Sequence, residues 1–133
     1  MDRKEFLEEL KIPVTKENKV DLDQFILDSL EAAGKETKMG VKINVAIQAE
    51  ECNELAKELI KVLRNKTNTV GILEEMADVY IGLKYLEFIF AISDEELAKA
   101  IQVKLRRAKK KLDEGTLYAE EGSDNAICGF KGE

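Results

Sequence analysis

Two helical stretches with paired acidic residues constrain this chain more than any other feature. Between residues 47 and 86, apolar residues recur at intervals of three and four, which is the spacing of amphipathic helices. Glu51 and Glu54 stand three apart in the first stretch, and Glu75 and Asp78 stand three apart in the second. Side chains three apart lie on one face of a helix, so each pair can direct its oxygens toward one point. If the two helices pack antiparallel, the four carboxylates converge, and a divalent cation would offset their repulsion.

The composition favours a single helix-rich domain without a membrane span. The chain has 133 residues, of which 44% are hydrophobic and 36% charged, with one proline. No apolar run approaches the ~20 residues of a transmembrane helix, and the N-terminus does not resemble a signal peptide. The formal charge of -6 argues against a nucleic-acid binder. We therefore expect a cytoplasmic protein that binds neither membranes nor nucleic acid.

The absence of histidine narrows the possible chemistry. The sequence contains none, which excludes Ser-His-Asp and Cys-His nucleophile systems and histidine-containing zinc sites. It also excludes the carboxylate-bridged di-iron bundle, which requires Glu-x-x-His pairs. The remaining candidate ligands are oxygens, which favour Mg²⁺, Mn²⁺ or Ca²⁺.

Apolar periodicity divides the chain into a leader, four helices and a tail. The leader carries no pattern that points to chemistry, although its first ten residues can form a short helix. A proline and several glycines separate the periodic segments and mark their ends. The predicted segments are a leader at 1–20, helices at 21–33, 39–64, 70–91 and 94–114, and a tail at 116–133.

An apolar stripe runs beside the acidic residues on each of the two acidic helices. Such stripes predict the face that packs into a core. The predicted core stripes are Val45, Ala49, Cys52, Ala56 and Leu59 on the helix at 39–64, and Met76, Val79, Leu83, Leu86 and Phe90 on the helix at 70–91.

The acidic residues also have a purely structural interpretation. Surface helices rich in Glu and Lys are common, and Glu54 and Glu58 can pair with Lys57 and Lys61 on their own helix. Against this, the acidic pairs recur on successive helices. Apolar residues surround the second pair, where a carboxylate is costly unless it is compensated.

Two further features each admit two interpretations. Gly82 is a poor helix former, and it can either leave room for a ligand above the carboxylates or let two helices pack closely. Lys104 and Arg107 lie on one side of the helix at 94–114. They can be solvated cations near a helix C-terminus or a clamp for phosphate oxygens.

The acidic blocks resemble a known family signature. Glu50-Glu51-Cys52-Asn53-Glu54-Leu55, a loop-bearing spacer and then Glu74-Glu75-Met76-Ala77-Asp78-Val79 are similar to the signature of the MazG-like all-α nucleoside triphosphate pyrophosphohydrolases. That signature is Glu-Glu-x-x-Glu followed by Glu-x-x-Asp. Gly34 and the segment at 104–107 also resemble short single-domain forms from phages and bacteria, so the resemblance covers residues 22–115.

The resemblance implies a fold, a reaction and a set of site residues. The expected fold is all-α, with a four-helix MazG-like core at 21–115 that is completed by dimerisation into a homodimer or homotetramer. The expected reaction is Mg²⁺-dependent hydrolysis of a nucleoside triphosphate between its α and β phosphates, with Mn²⁺ as a substitute ion. Two alternatives stay open: a catalytically inactive nucleotide-binding or regulatory module of this fold, and a helical interaction protein with solvated acids. The implied residues are Glu51, Glu54, Glu75 and Asp78 as metal ligands, Glu50 in a supporting catalytic role, Lys104 and Arg107 at the phosphates, and Gln48, Gly82 and Tyr85 in the substrate pocket.

Overall fold

The chain is helical throughout the part that the structure describes. The computed structural model describes residues 2–34 and 38–118, with the backbone alone at 38 and 39. This range contains helices and no strand, which confirms the all-α class, and the predicted tail lies mostly outside it. The helices at 21–33, 39–64, 70–91 and 94–114 are each found within two residues of their predicted ends. The helices are α1 (Arg3–Leu10), α2 (Leu22–Ala33), α3 (Lys38–Leu63), α4 (Thr69–Ile89) and α5 (Asp94–Asp113).

Local capping chemistry explains where these helices begin and end. The side chains of Asp2, Asp21, Asn68 and Ser93 each accept a hydrogen bond from a backbone N–H three residues later. Ser93 and Glu96 form a complete capping box at the start of α5. At the end of α2, Gly34 adopts φ 77°, a left-handed conformation that glycine reaches without steric cost.

Helices α3 and α4 form an antiparallel hairpin. A Cβ on Gly82 would touch the side chain of Gln48, and a Cβ on Gly71 would lie 2.9 Å from Glu58 Oε2. Later positions on α3 therefore face earlier positions on α4, with Glu51 and Asp78 between these two crossings. Helix α2 packs on both helices of the hairpin, and α1 contacts α4.

The surface between α3 and α4 is polar. On both helices the residues that face the partner are spaced by four and three, as in paired helices generally. We call this surface the α3–α4 seam. Its cross-helix contacts involve Gln48, Glu51 and Glu58 on α3, and Gly71, Glu75, Asp78 and Gly82 on α4. Asn44, Leu55 and Tyr85 continue the same repeat, and all ten residues are buried or half-buried.

The predicted core stripes were wrong in the single chain. Leu59 on α3 is 48% exposed, and Met76 and Phe90 on α4 are 54% and 57% exposed. Among the described residues, the buried hydrophobic side chains are Ile26 and Leu30 on α2. The helical repeat places the apolar stripe and the acidic stripe side by side. It does not by itself determine which of them faces the neighbouring helix.

The described chain divides into two compact units, one up to residue 92 and one from residue 93 onward. The second unit is described as far as residue 118. Its described helix, α5, is strongly amphipathic, with acidic residues in its first turn and lysines in its last turn. This charge distribution stabilises the helix through its dipole. None of the helices that the structure describes is both long and apolar enough to span a membrane.

Candidate metal centre

Three carboxylates from two helices converge in the α3–α4 seam. Glu51, Glu75 and Asp78 each offer an oxygen, and these oxygens all lie within 4.8 Å of one another. We call these residues the acidic trio. Ligand oxygens on opposite sides of a Mg²⁺ ion stand about 4.2 Å apart, since each bond is about 2.1 Å long. The trio therefore has the chemistry and the spread needed to bind a hard divalent cation.

Glu51 is electrostatically unfavourable in its ionised form. Burial raises the pKa of Glu51 above its ordinary value of 4.5, and the charges of Asp78 and Glu75 raise it further. A hydrogen bond between the Glu51 and Asp78 carboxyl groups and the charge of Glu50 act in the same direction. Within the described part of the chain, neither Glu51 nor Asp78 forms an ion pair. A cation bound at the trio would relieve this repulsion.

Glu75 experiences a similar repulsion with one opposing contribution. Burial raises the pKa of Glu75, followed by the charges of Asp78, Glu74 and Glu54. Arg3 lowers the pKa of Glu75, because its positive charge favours the carboxylate. Glu75 thus belongs to the acidic trio and also lies next to Arg3 of the leader.

Two acidic residues predicted near the centre lie outside the acidic trio. The Glu54 carboxylate accepts a hydrogen bond from Lys57 Nζ at 3.2 Å, and its side chain is 41% exposed. Glu50 is exposed. The Glu54–Lys57 contact is the pairing that the structural interpretation expects. The structure therefore brings together three of the four predicted ligands.

The predicted pocket residues Gln48, Gly82 and Tyr85 contribute to helix packing. Gln48 is 6% exposed, and its amide lies over Gly82, where a Cβ would come within 3.3 Å of Gln48 Cδ. Tyr85 shares a hydrogen bond of 2.6 Å with Ser29 Oγ, which ties α4 to α2. The absence of a side chain at Gly82 therefore allows α3 and α4 to approach closely, one of the two interpretations considered for this residue.

The predicted phosphate ligands lie on α5, in the second unit. Lys104 and Arg107 are exposed. Together with Ala108, Lys111 and Leu117, they line a concavity of about 240 Å³. Because several cationic side chains open onto it, this concavity suits an anion.

Arg3 is a residue of the acidic region that the sequence did not reveal. Its Nε lies 3.0 Å from Glu74 Oε1, and its Nη2 lies 3.6 Å from Glu58 Oε1 and 3.9 Å from Glu75 Oε1. More than fifty positions separate it from these acids, and no periodicity links them. Helix α1 carries both Arg3 and Lys4 beside three glutamates, so the sequence does not single Arg3 out.

Comparisons of this chain with protein-family models, curated proteins and solved structures found no match. The family resemblance therefore rests on the acidic signature itself.

Proposed function

We propose that the chain is a Mg²⁺-dependent, MazG-like nucleoside triphosphate pyrophosphohydrolase that releases a nucleoside monophosphate and pyrophosphate. The observation that supports this most directly is the convergence of Glu51, Glu75 and Asp78. These residues occupy signature positions of the family that the sequence resembles. The geometry and the motif are independent observations, because the motif defines spacing along the chain and the geometry defines distance across two helices.

In this proposal the acidic trio holds Mg²⁺, and Mn²⁺ can replace it. A divalent ion there neutralises charge on phosphate oxygens and lowers the pKa of a bound water. Glu54, which pairs with Lys57, would serve as a fourth ligand if its carboxylate turned to the metal, and Glu50 would orient a water molecule beside the ligands. Most of the rate then comes from positioning and electrostatics, as in phosphoryl transfer generally.

The remaining site residues bind the substrate. Lys104 and Arg107 bind phosphate oxygens, which accept strong charge-assisted hydrogen bonds. Gln48, Gly82 and Tyr85 stay predicted neighbours of the nucleoside. A triphosphate and the trio are both negatively charged, so we expect substrate binding to require the metal.

The proposal includes a cytoplasmic homodimer. Leu73, Met76, Tyr80 and Leu83 form a stripe on α4, spaced by three and four, and they are 46–67% exposed. We call this the α4 apolar stripe. A soluble monomer rarely exposes a contiguous apolar surface of this kind, and residues spaced this way pack well against another helix. A second copy of the chain covers the stripe and completes the four-helix core.

One observation favours an alternative with solvated acids. Glu54 pairs with Lys57 at 3.2 Å, as in ordinary surface helices, and the buried Glu58 pairs with Lys61 at 3.1 Å. This alternative does not explain why the three carboxylates of the acidic trio lie close together and form no ion pair with a lysine of the described chain. It predicts that metal leaves the thermal stability unchanged, whereas a metal centre should stabilise the folded state by linkage.

The test is a hydrolysis assay on a panel of ribo- and deoxyribonucleoside triphosphates, with and without Mg²⁺. Pyrophosphate and orthophosphate are measured separately. We expect Mg²⁺-dependent pyrophosphate release that falls at least about a hundredfold in Glu75→Gln, since even residues supporting a metal ligand are worth 10–100-fold. Glu31→Gln, which removes an exposed carboxylate from α2, is the matched control and should keep full activity.

The assay has informative negative outcomes. Orthophosphate release would move the cleavage point away from the α–β bond. Metal-dependent nucleotide binding without turnover would favour the inactive nucleotide-binding module. Neither turnover nor a thermal shift on adding Mg²⁺ would favour the solvated helical protein.

A further inference from the structure

The acidic region contains a second group of carboxylates. Glu58, Glu74 and Glu75 surround the guanidinium of Arg3, at distances of 3.6, 3.0 and 3.9 Å. Glu75 belongs both to this group and to the acidic trio. We propose that Glu58, Glu74 and Glu75 form a second cation position beside the metal centre, and that Arg3 is the tethered cation that fills it.

Burial makes a cation at this position necessary. The Glu58 side chain is 9% exposed, and those of Glu74 and Glu75 are 14% and 13% exposed. Carboxylates removed from water to this degree are costly unless a positive charge compensates them. Lys61 also reaches Glu58 Oε1, at 3.1 Å, but its own side chain is 51% exposed. Arg3 is the cation that contacts all three acids.

Arg3 does not provide hydrogen bonds for all the carboxylate oxygens at this second cation position. Glu58 Oε2 and Arg3 Nη1 are both buried, and neither has a hydrogen-bond partner in the described structure. A guanidinium and a carboxylate in their best geometry would pair both oxygens through two parallel hydrogen bonds. The second oxygen of Glu58 is therefore an acceptor that a small hard cation, which takes several oxygen ligands, could use better than Arg3 does.

Gly71 provides the space for the guanidinium. It is buried in the first turns of α4, and a Cβ there would collide with Arg3 Nη1 and lie 2.9 Å from Glu58 Oε2. Glycine is a poor helix former, so a steric reason for it is expected. Here the reason is that a Cβ would occupy the space next to the Arg3 guanidinium and Glu58 Oε2.

The two cation positions are coupled through Glu75. The positive charge of Arg3 beside a ligand of the acidic trio opposes a divalent ion there, and it excludes a second ion from the neighbouring position. Arg3 thus sets how many ions the acidic region takes and how tightly it holds them. This inference concerns metal binding alone and does not require the proposed hydrolysis.

The test is a Mn²⁺ titration without nucleotide, in which electron paramagnetic resonance measures the free ion. Arg3→Ala is expected to bind one more Mn²⁺ per chain than the unaltered protein. The Mn²⁺ ion that binds to both the variant and the unaltered protein should have a dissociation constant on the order of tenfold lower in the variant. Arg3→Lys keeps the charge and should retain the unaltered number of ions. Lys4→Ala removes an exposed neighbouring cation and should change neither number nor affinity.

Two further variants distinguish this role from a merely structural one. Adding Glu58→Gln to Arg3→Ala should abolish the extra ion, because it removes one carboxylate of the second position. Arg3→Gln removes the charge but keeps a polar side chain at this position, so it should also bind the extra ion even if Arg3→Ala does not fold. The proposal is overturned if folded Arg3→Ala or Arg3→Gln binds the same number of Mn²⁺ ions as the unaltered protein, with the same affinity.

Discussion

At the scale of single residues, the acidic trio places electrostatic strain in the folded protein. Burial and neighbouring charges raise the pKa values of Glu51 and Glu75 above 4.5. The folded state therefore binds protons more tightly than the unfolded state does. By linkage, this contribution to stability is full at low pH and is lost as the pH rises through the raised pKa values.

Replacing Glu51 should stabilise the protein without metal. Glu51→Gln keeps the shape of the side chain and removes its charge, so its melting temperature should exceed that of the unaltered protein. The difference should grow as the pH rises above about 4.5, and calorimetry between pH 4 and pH 8 in a chelating buffer measures it. Glu50→Gln is the control, because Glu50 is exposed and is the weakest contributor to the shift at Glu51. A difference that does not vary with pH would contradict this account.

The sequence predicted that four carboxylates converge, and the structure brings three of them together. The sequence did not reveal Arg3, the cation beside Glu75. The i, i+3 spacing of Glu75 and Asp78 places them on one face, and Glu51 meets them because the helices run antiparallel. The Glu54 carboxylate can turn either toward Lys57 on its own helix or toward the α3–α4 seam. The spacing of residues along the sequence does not determine which of the two it contacts. Arg3 reaches the acids through the tertiary placement of α1, which no local pattern encodes.

At the scale of helices, the apolar repeat and the proline and glycine breaks were sufficient to locate α2 to α5. They did not identify the face by which α3 and α4 meet. Two stripes with the same spacing run along each helix, one apolar and one acidic. The acidic stripe of α4 contains Gly71 and Gly82. Gly82 lets α3 and α4 approach closely, and Gly71 leaves room for the Arg3 guanidinium beside Glu58. The two glycines on the acidic stripe of α4 were the feature of the sequence that could have shown which face of α4 packs against α3.

Close approach at Gly82 predicts a specific cost for a larger residue. In Gly82→Ala the new methyl group would collide with the buried Gln48 side chain. Overpacking lowers the free energy of unfolding by about 1–3 kcal/mol. The higher helix propensity of alanine raises it by about 1 kcal/mol relative to glycine. We expect a net loss of about 1 kcal/mol in the free energy of unfolding, which urea denaturation would measure.

A double variant separates the collision from other effects at Gly82. In Gly82→Ala with Gln48→Ala the collision is absent, so the alanine at 82 should stabilise the helix. The two substitutions should therefore be strongly non-additive. Additive effects would show that Gln48 does not pack against Gly82.

At the scale of the whole molecule, the described part of the single chain exposes many of its large apolar side chains. The buried hydrophobic side chains of the described residues are Ile26 and Leu30, whereas the α4 apolar stripe is about half exposed. The hairpin presents acids to its own interior and apolar residues to the outside. This arrangement is unfavourable for a monomer and suits a helix bundle shared between two chains.

The α4 apolar stripe should therefore control assembly. Met76→Glu places a charge at the centre of the stripe, where burial against a second copy would be costly. We expect the unaltered protein to sediment as a dimer or larger assembly at micromolar concentration, and Met76→Glu to dissociate at least about a hundredfold more readily. Val14→Glu is the control, because Val14 is 80% exposed outside the helices and its replacement should leave assembly unchanged. If the unaltered protein stayed monomeric at all concentrations, the exposed stripe would need a different partner, and the proposed four-helix core would be wrong.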